Sequence, residues 1–253
     1  MPKIFRKFRL DSFKKSGTFK YLTYAIGEIL LVIIGILIAL MVNRKYEAYK
    51  IGKEKISIIT SMQNDWQGNE KKLKTVILKY DSIYTNMERM LVSVYSEQEE
   101  LPLDTLEHLA GSFFRYFNYK PNLTTYNEAQ SSGKFNLLDN KELSYLYTEY
   151  FEHLEDFDNH IRICSDMYYH GAIWEIRKET GFMSGYVDTE FYESLTGEKE
   201  TYNTYLERLK LPLVSATFES QWNIIANIIK ILNDVDVSTQ KIIKKLDEME
   251  KQY

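Results

Sequence analysis

Glu149, His153, Asp156 and His160 are spaced by four, three and four positions. On a helix of about 3.6 residues per turn, that spacing puts two carboxylates and two imidazoles on one stripe. These are ligand types for a transition metal, so a metal-dependent activity would be sought on this face. The stripe runs beside an apolar one, and the same residues serve equally as solvated i,i+4 pairs. Pairing is the expectation here, with no metal and no cofactor. Asp166 and His170 form a further i,i+4 pair with the same reading.

The second chemically unusual residue is Glu28, a single carboxylate within the apolar residues 21–42. On insertion scales a carboxylate at the centre of a membrane helix costs about 2.5–3.5 kcal/mol. At 100° per residue, Glu28, Val32, Gly35, Ala39 and Val42 fall on one stripe. Gly35 and Ala39 make a small-xxx-small pattern, which lets another helix approach closely. The carboxylate and the small residues share a face, so this face is expected to pack against a partner helix that also shields Glu28. The partner is a second copy of the chain or another membrane protein. A sharper alternative makes Glu28 a proton- or ion-handling group in an accessory subunit of a driven membrane complex. The layout of basic tail, single span with an early acid and external domain matches such stator-like subunits in topology only.

Several chemistries lack their residues. The chain has no Gly-rich phosphate loop, no HExxH, no CxxC and no GxSxG. One cysteine and four histidines leave few candidates for nucleophilic or metal catalysis. Cys164 lies in an apolar helical stripe and reads as a small hydrophobe. An enzyme is therefore not expected. The aromatic run Phe113, Phe114, Tyr116, Phe117 and Tyr119 around Arg115 suits either a docking surface or, more commonly, the core of a helical bundle.

The elements that must carry these residues follow from length, charge and periodicity. Residues 21–42 would form a helix about 33 Å long, enough to cross a hydrocarbon core of about 30 Å. No small-x-small cleavage site follows, so a retained anchor is expected rather than a signal peptide. Seven of the 32 basic residues and two of the 36 acidic ones precede Asn43. The remaining chain holds 25 basic against 34 acidic residues, a net of −9. An acidic body without a basic stripe argues against a nucleic-acid partner. The basic tail before the span places the N-terminus in the cytoplasm by the positive-inside rule, although Arg44, Lys45, Lys50, Lys53 and Lys55 follow the span closely.

No proline lies between Pro2 and Pro102, so one helix can run from the membrane to about Tyr95. Its apolar residues Ile59, Met62, Trp66, Leu73, Val76, Tyr80, Ile83, Met87, Met90 and Val94 keep a heptad-like seam, with Asn69 as the polar member. Asn69 would fix register or face a wet gap, and Gly52 and Gly68 mark points where the helix can bend. Ile225, Ile228, Leu232, Val235, Thr239, Ile242, Leu246 and Met249 form a matching terminal stripe that can run antiparallel to the first. A third stripe joins Leu143, Leu146, Tyr150, Leu154, Phe157, Ile161, Cys164 and Tyr168. Asp139 is read as its N-cap, with Glu142 closing a capping box. Gly133 is read as the stop of a small preceding helix, and residues 179–200 as a loop.

Two segments carry a family resemblance. Tyr24-Ala25-Ile26-Gly27-Glu28-Ile29 with Gly35-Ile36-Leu37-Ile38-Ala39-Leu40, and then Tyr126, Glu128, Ser131, Ser132, Gly133, Leu137, Glu142 and Leu143, resemble an uncharacterised family of single-span bacterial membrane proteins. That family continues past its span with an Asn-Asn-Trp-Asn-Glu-like segment. Asn43 and Glu47 fit this, whereas Lys45 stands where the Trp would be. The resemblance implies a Gram-negative inner-membrane protein with a helical domain behind the span, and it supplies no activity.

The sequence thus predicts an all-α protein. It comprises a cytoplasmic tail over 1–20, a transmembrane helix over 21–42, and a periplasmic bundle of long coiled-coil-like helices over 43–253. Its expected role is that of a membrane-anchored, non-enzymatic interaction or scaffold protein. The expected partners are membrane lipid and either another copy or another membrane protein reached through the span.

Overall fold

A computed structural model describes residues 18–96, 101–180 and 201–252. The basic tail and most of the expected loop over 179–200 lie outside the described residues. Every regular element among the described residues is helical, so the chain is all-α. The helices are α1 (Thr18–Tyr95), α2 (Leu103–Ala110), α3 (Thr124–Ser131), α4 (Lys141–Tyr169), α5 (Ala172–Thr180), α6 (Tyr202–Leu209) and α7 (Pro212–Glu250), with short 3₁₀ turns at Gly111–Phe114 and Lys134–Leu138. The chain divides into two compact units, Met1–Ser57 and Ile58–Tyr253.

In the first unit α1 is bare. Its large apolar side chains from Leu22 to Val42 are 45–62% exposed. The helix is unbroken at Gly52 and, in the second unit, at Gly68.

The second unit is built on α1, α4 and α7. From Ile59 to Val94 the apolar stripe of α1 is buried, Val76 alone being half-buried. All eight residues of the α7 stripe are buried as well. Burial of these stripes removes apolar surface from water at about 25 cal/mol per Å², which supplies most of the drive to fold. Hydrogen bonds across α1 and α7 fix direction. Thr60 and Gln63 reach Glu250 and Asp247, Gln240 reaches Glu70, and Tyr95 meets Ser215. Ten residues up α1 are matched by ten residues down α7, so the pairing is antiparallel and free of register slip. The helix α4 is also antiparallel to α7, since Glu142 meets Lys245, Glu149 meets Lys241 and His153 meets Ser238. It follows that α1 and α4 run parallel.

The helix ends show where local chemistry differs from the sequence expectation. The N-cap of α4 is Asn140, whose side chain accepts from the Leu143 N–H at 2.9 Å. Asp139 sits one residue earlier in the left-handed region at φ 45°, which Asp tolerates better than most residues. No capping box forms with Glu142, because with Asn140 as the cap the third position is Leu143; the Glu142 carboxylate meets Lys245 on α7. Gly133 does adopt the left-handed conformation, at φ 73°, just after Ser132, the C-cap of α3. Two features went unread in the sequence: the reciprocal Thr201–Thr204 capping box that starts α6, and Pro212 at the first turn of α7.

Asn140→Ala should lower stability by about 1 kcal/mol, read as the shift in the chemical-denaturation midpoint of the purified chain. Asp139→Ala should shift it less; the reverse order would return the cap to Asp139.

Candidate functional site

The first candidate is the face of α1 bearing Glu28, Val32, Gly35 and Ala39. All four residues are exposed. A Cβ built on Gly27 or Gly35 meets nothing within 4 Å. The small-residue groove is thus open, and the carboxylate stands beside it. One helix among the described residues is long and apolar enough to cross a bilayer, and this face lies in its apolar part.

The second candidate does not assemble. Among the described residues, no group of three or more His, Cys, Asp or Glu side chains could hold a metal. Glu149 is engaged by the Lys241 ammonium at 2.7 Å. His153 Nδ1 lies 3.0 Å from the Ser238 hydroxyl, which is fully buried on α7. His160 Nδ1 is 2.9 Å from the Asp156 backbone carbonyl rather than from its carboxylate. The expectation of i,i+4 pairs along the stripe is corrected by these contacts. Glu149 and His153 look across to α7 instead, because that helix offers a cation and a hydroxyl at the right height.

The aromatic run around Arg115 belongs to the core. Phe113, Phe114 and Tyr119 are buried, and Tyr116 and Phe117 are half-buried against them. Phe113 stacks on Phe218 of α7 at 4.2 Å between ring centroids. Cys164 is buried, and desolvation pushes its thiol up to about 11, so the reactive thiolate is disfavoured.

The most highly organised polar site was not anticipated as a site. Asn69 is fully buried in the apolar seam of α1. Its amide nitrogen donates to the Asn122 carbonyl at 2.8 Å, and its oxygen accepts from the Asn122 N–H at 2.6 Å. A single side chain thereby pairs with backbone as a strand neighbour would. One turn earlier, Asp65 accepts from the Asn122 side chain at 2.7 Å, the Thr125 N–H at 3.1 Å and the Thr125 hydroxyl at 2.6 Å. The carboxylate therefore meets the first turn of α3, where exposed N–H groups and the helix dipole favour an anion. Asn69 neither faces a wet gap nor pairs with another helix; it holds the crossing segment between the 3₁₀ turn and α3.

Aromatic hydroxyls complete this site. Trp66 Nε1 donates to the Tyr147 hydroxyl at 2.7 Å, and the ring of Tyr126 stacks on Tyr147 with centroids 4.3 Å apart. The Tyr119 and Tyr150 hydroxyls lie 3.3 Å apart. Burial raises the phenols of Tyr147 and Tyr150 well above the ordinary tyrosine value, and that of Tyr119 to about 12. These hydroxyls keep their protons and pair with one another or with Trp66, which suits positioning rather than proton transfer.

Comparison with known proteins adds one match. The family described as "Family of unknown function (DUF6090)" matches residues 28–178. That range includes Glu28, Gly35 and Ala39 as well as Asp65, Asn69, Asn122 and Thr125. It ends before α6 and α7. No curated protein and no solved structure matches the chain.

Asn69→Ala strands the N–H and C=O of Asn122 and should lower stability by about 2–3 kcal/mol, measured by chemical denaturation. A loss under 0.5 kcal/mol would show that the crossing segment does not need it. The buried phenols also set a pH limit. A phenol whose folded value exceeds its unfolded value of 10.0 holds its proton more tightly in the native state. The stabilisation is complete below pH 10 and is lost as pH rises toward 12 and beyond. Thermal melting should therefore fall steeply above pH 10, and Tyr119→Phe with Tyr150→Phe should flatten that fall.

Proposed function

The chain belongs to DUF6090, a family of unknown function, and on that premise we propose that it is a single-span inner-membrane protein working as a non-enzymatic interaction or scaffold module. In this reading the N-terminus is cytoplasmic, residues 21–42 span the bilayer, and the helical domain over 43–253 is periplasmic. The span face with Glu28, Val32, Gly35 and Ala39 binds a second copy of the chain or another membrane protein.

The observation that carries this reading is the bare apolar length of α1. Side chains from Leu22 to Val42 remain roughly half exposed, while the equally apolar stripe from Ile59 to Val94 is buried by α4 and α7. An exposed apolar surface on this scale is costly in water and favourable in lipid. Within that surface the open groove at Gly35 gives a neighbouring helix a place to approach. Glu28 sits two turns from Gly35 on the same face, so a helix seated there shields the carboxylate from lipid.

The test is oligomeric state. The full chain should resist alkaline extraction from membranes and should cross-link as oligomers, or with a membrane partner, in mild detergent. Gly35→Ile should weaken that assembly at least tenfold, and a strict monomer with no membrane partner would overturn the interaction reading. Glu28→Gln should preserve assembly, because the amide keeps the size and the hydrogen-bonding oxygen of the side chain. Loss of cellular function with assembly intact would instead favour the proton- or ion-driven complex.

A further inference from the structure

We propose that Tyr46, Tyr49, Lys50 and Lys53 form a stripe that binds the headgroup of an anionic phospholipid in the bilayer that α1 crosses. This rests on the membrane reading above. The four residues stand at i, i+3, i+4 and i+7 of an unbroken helix, so they share one face. The two tyrosines are 63% and 60% exposed, and both lysines are exposed. The Lys53 ammonium lies over the Tyr49 ring, 4.9 Å from its centroid. That contact holds the cation against an aromatic face without consuming all three of its N–H donors.

Height along the helix selects the ligand. Counting from Val42, Tyr46 lies about 6 Å beyond the end of the apolar run and Lys53 about 16 Å beyond it. The headgroup layer is about 5–8 Å thick on each side of the hydrocarbon. Helical side chains lean toward the N-terminus, which on α1 is the direction of the span. The tyrosine rings therefore enter the headgroup layer and the lysine stems reach back toward it. At this height phosphate is the abundant acceptor, and ammonium and phenol groups are both donors to it.

Charge points the same way. Residues 44–55 carry Arg44, Lys45, Lys50, Lys53 and Lys55 against Glu47 and Glu54, in a chain that is otherwise acidic beyond the span. Glu47 and Glu54 project from one flank of the stripe, whereas Arg44 and Lys55 share the opposite side of the helix. The stripe is thus a local cationic and aromatic band suited to an anionic surface.

The full chain is reconstituted into nanodiscs containing phosphatidylcholine and phosphatidylglycerol, and retained lipids are counted by native mass spectrometry. Wild type should retain phosphatidylglycerol in preference to phosphatidylcholine, and raised ionic strength during reconstitution should weaken that preference. Lys50→Gln with Lys53→Gln should reduce it by about fivefold per lysine, while Lys50→Arg with Lys53→Arg should keep it. If the chain inserts but the double Gln variant retains phosphatidylglycerol as wild type does, the stripe is not the lipid site and the membrane reading stands. If the chain never enters the nanodiscs, the membrane reading falls and takes this site with it.

Discussion

A buried asparagine in an apolar seam must find partners, and Asn69 finds both in one backbone unit. Its two bonds to Asn122 replace those a water molecule would make, and they leave the amide satisfied at zero exposure. Asp65 adds three acceptor contacts one turn away. Together they clamp an irregular segment against α1. With that segment held, Tyr126 stacks on Tyr147, Tyr147 accepts from Trp66, and α4 is seated against both α1 and α7. The polar clamp sets position, and the apolar stripes supply the driving force.

Periodicity made the long helices legible. The residues spaced by threes and fours on α1, α4 and α7 are the buried ones, with Val76, Leu154 and Tyr168 only half-buried. Matching stripes on α1 and α7 allowed an antiparallel course, and the cross-helix hydrogen bonds set it. What periodicity could not supply was pairing at a distance. Asn69 and Asn122 are separated by 53 positions and His153 and Ser238 by 85, and no local spacing marks either pair. The same limit explains the metal-like face, where the ligand spacing was real but α7 occupied Glu149 and His153. The cap of α4 was misread by one residue because Asp139 and Asn140 are both good capping residues and Glu142 suits a capping box. Asp139 instead closes the preceding 3₁₀ turn in the left-handed region, which leaves Asn140 to cap the Leu143 N–H.

The exposed apolar face of α1 is a different case. Glu28, Val32, Gly35 and Ala39 share a stripe by helical geometry alone, and the structure adds that nothing among the described residues fills the groove at Gly35. The chemistry of that face is legible because it depends on one helix. What would pack against it is not, because helical geometry fixes the face and not its neighbour.

The antiparallel closure of α1 on α7 also constrains the order of events during synthesis. Gln63 bonds Asp247 at a sequence separation of 184, and Thr60 meets Glu250 at one of 190. The seam from Ile59 to Val94 emerges early, yet its cover, begun by Phe117, Asn122 and α4, is completed only by α7. Closing so long a loop is slow relative to local helix formation. A long apolar seam must wait partly uncovered in the meantime, exposed to other chains. The early half of this domain is therefore where a holdase would act, and truncation within α7 would leave an aggregation-prone remnant rather than a smaller fold.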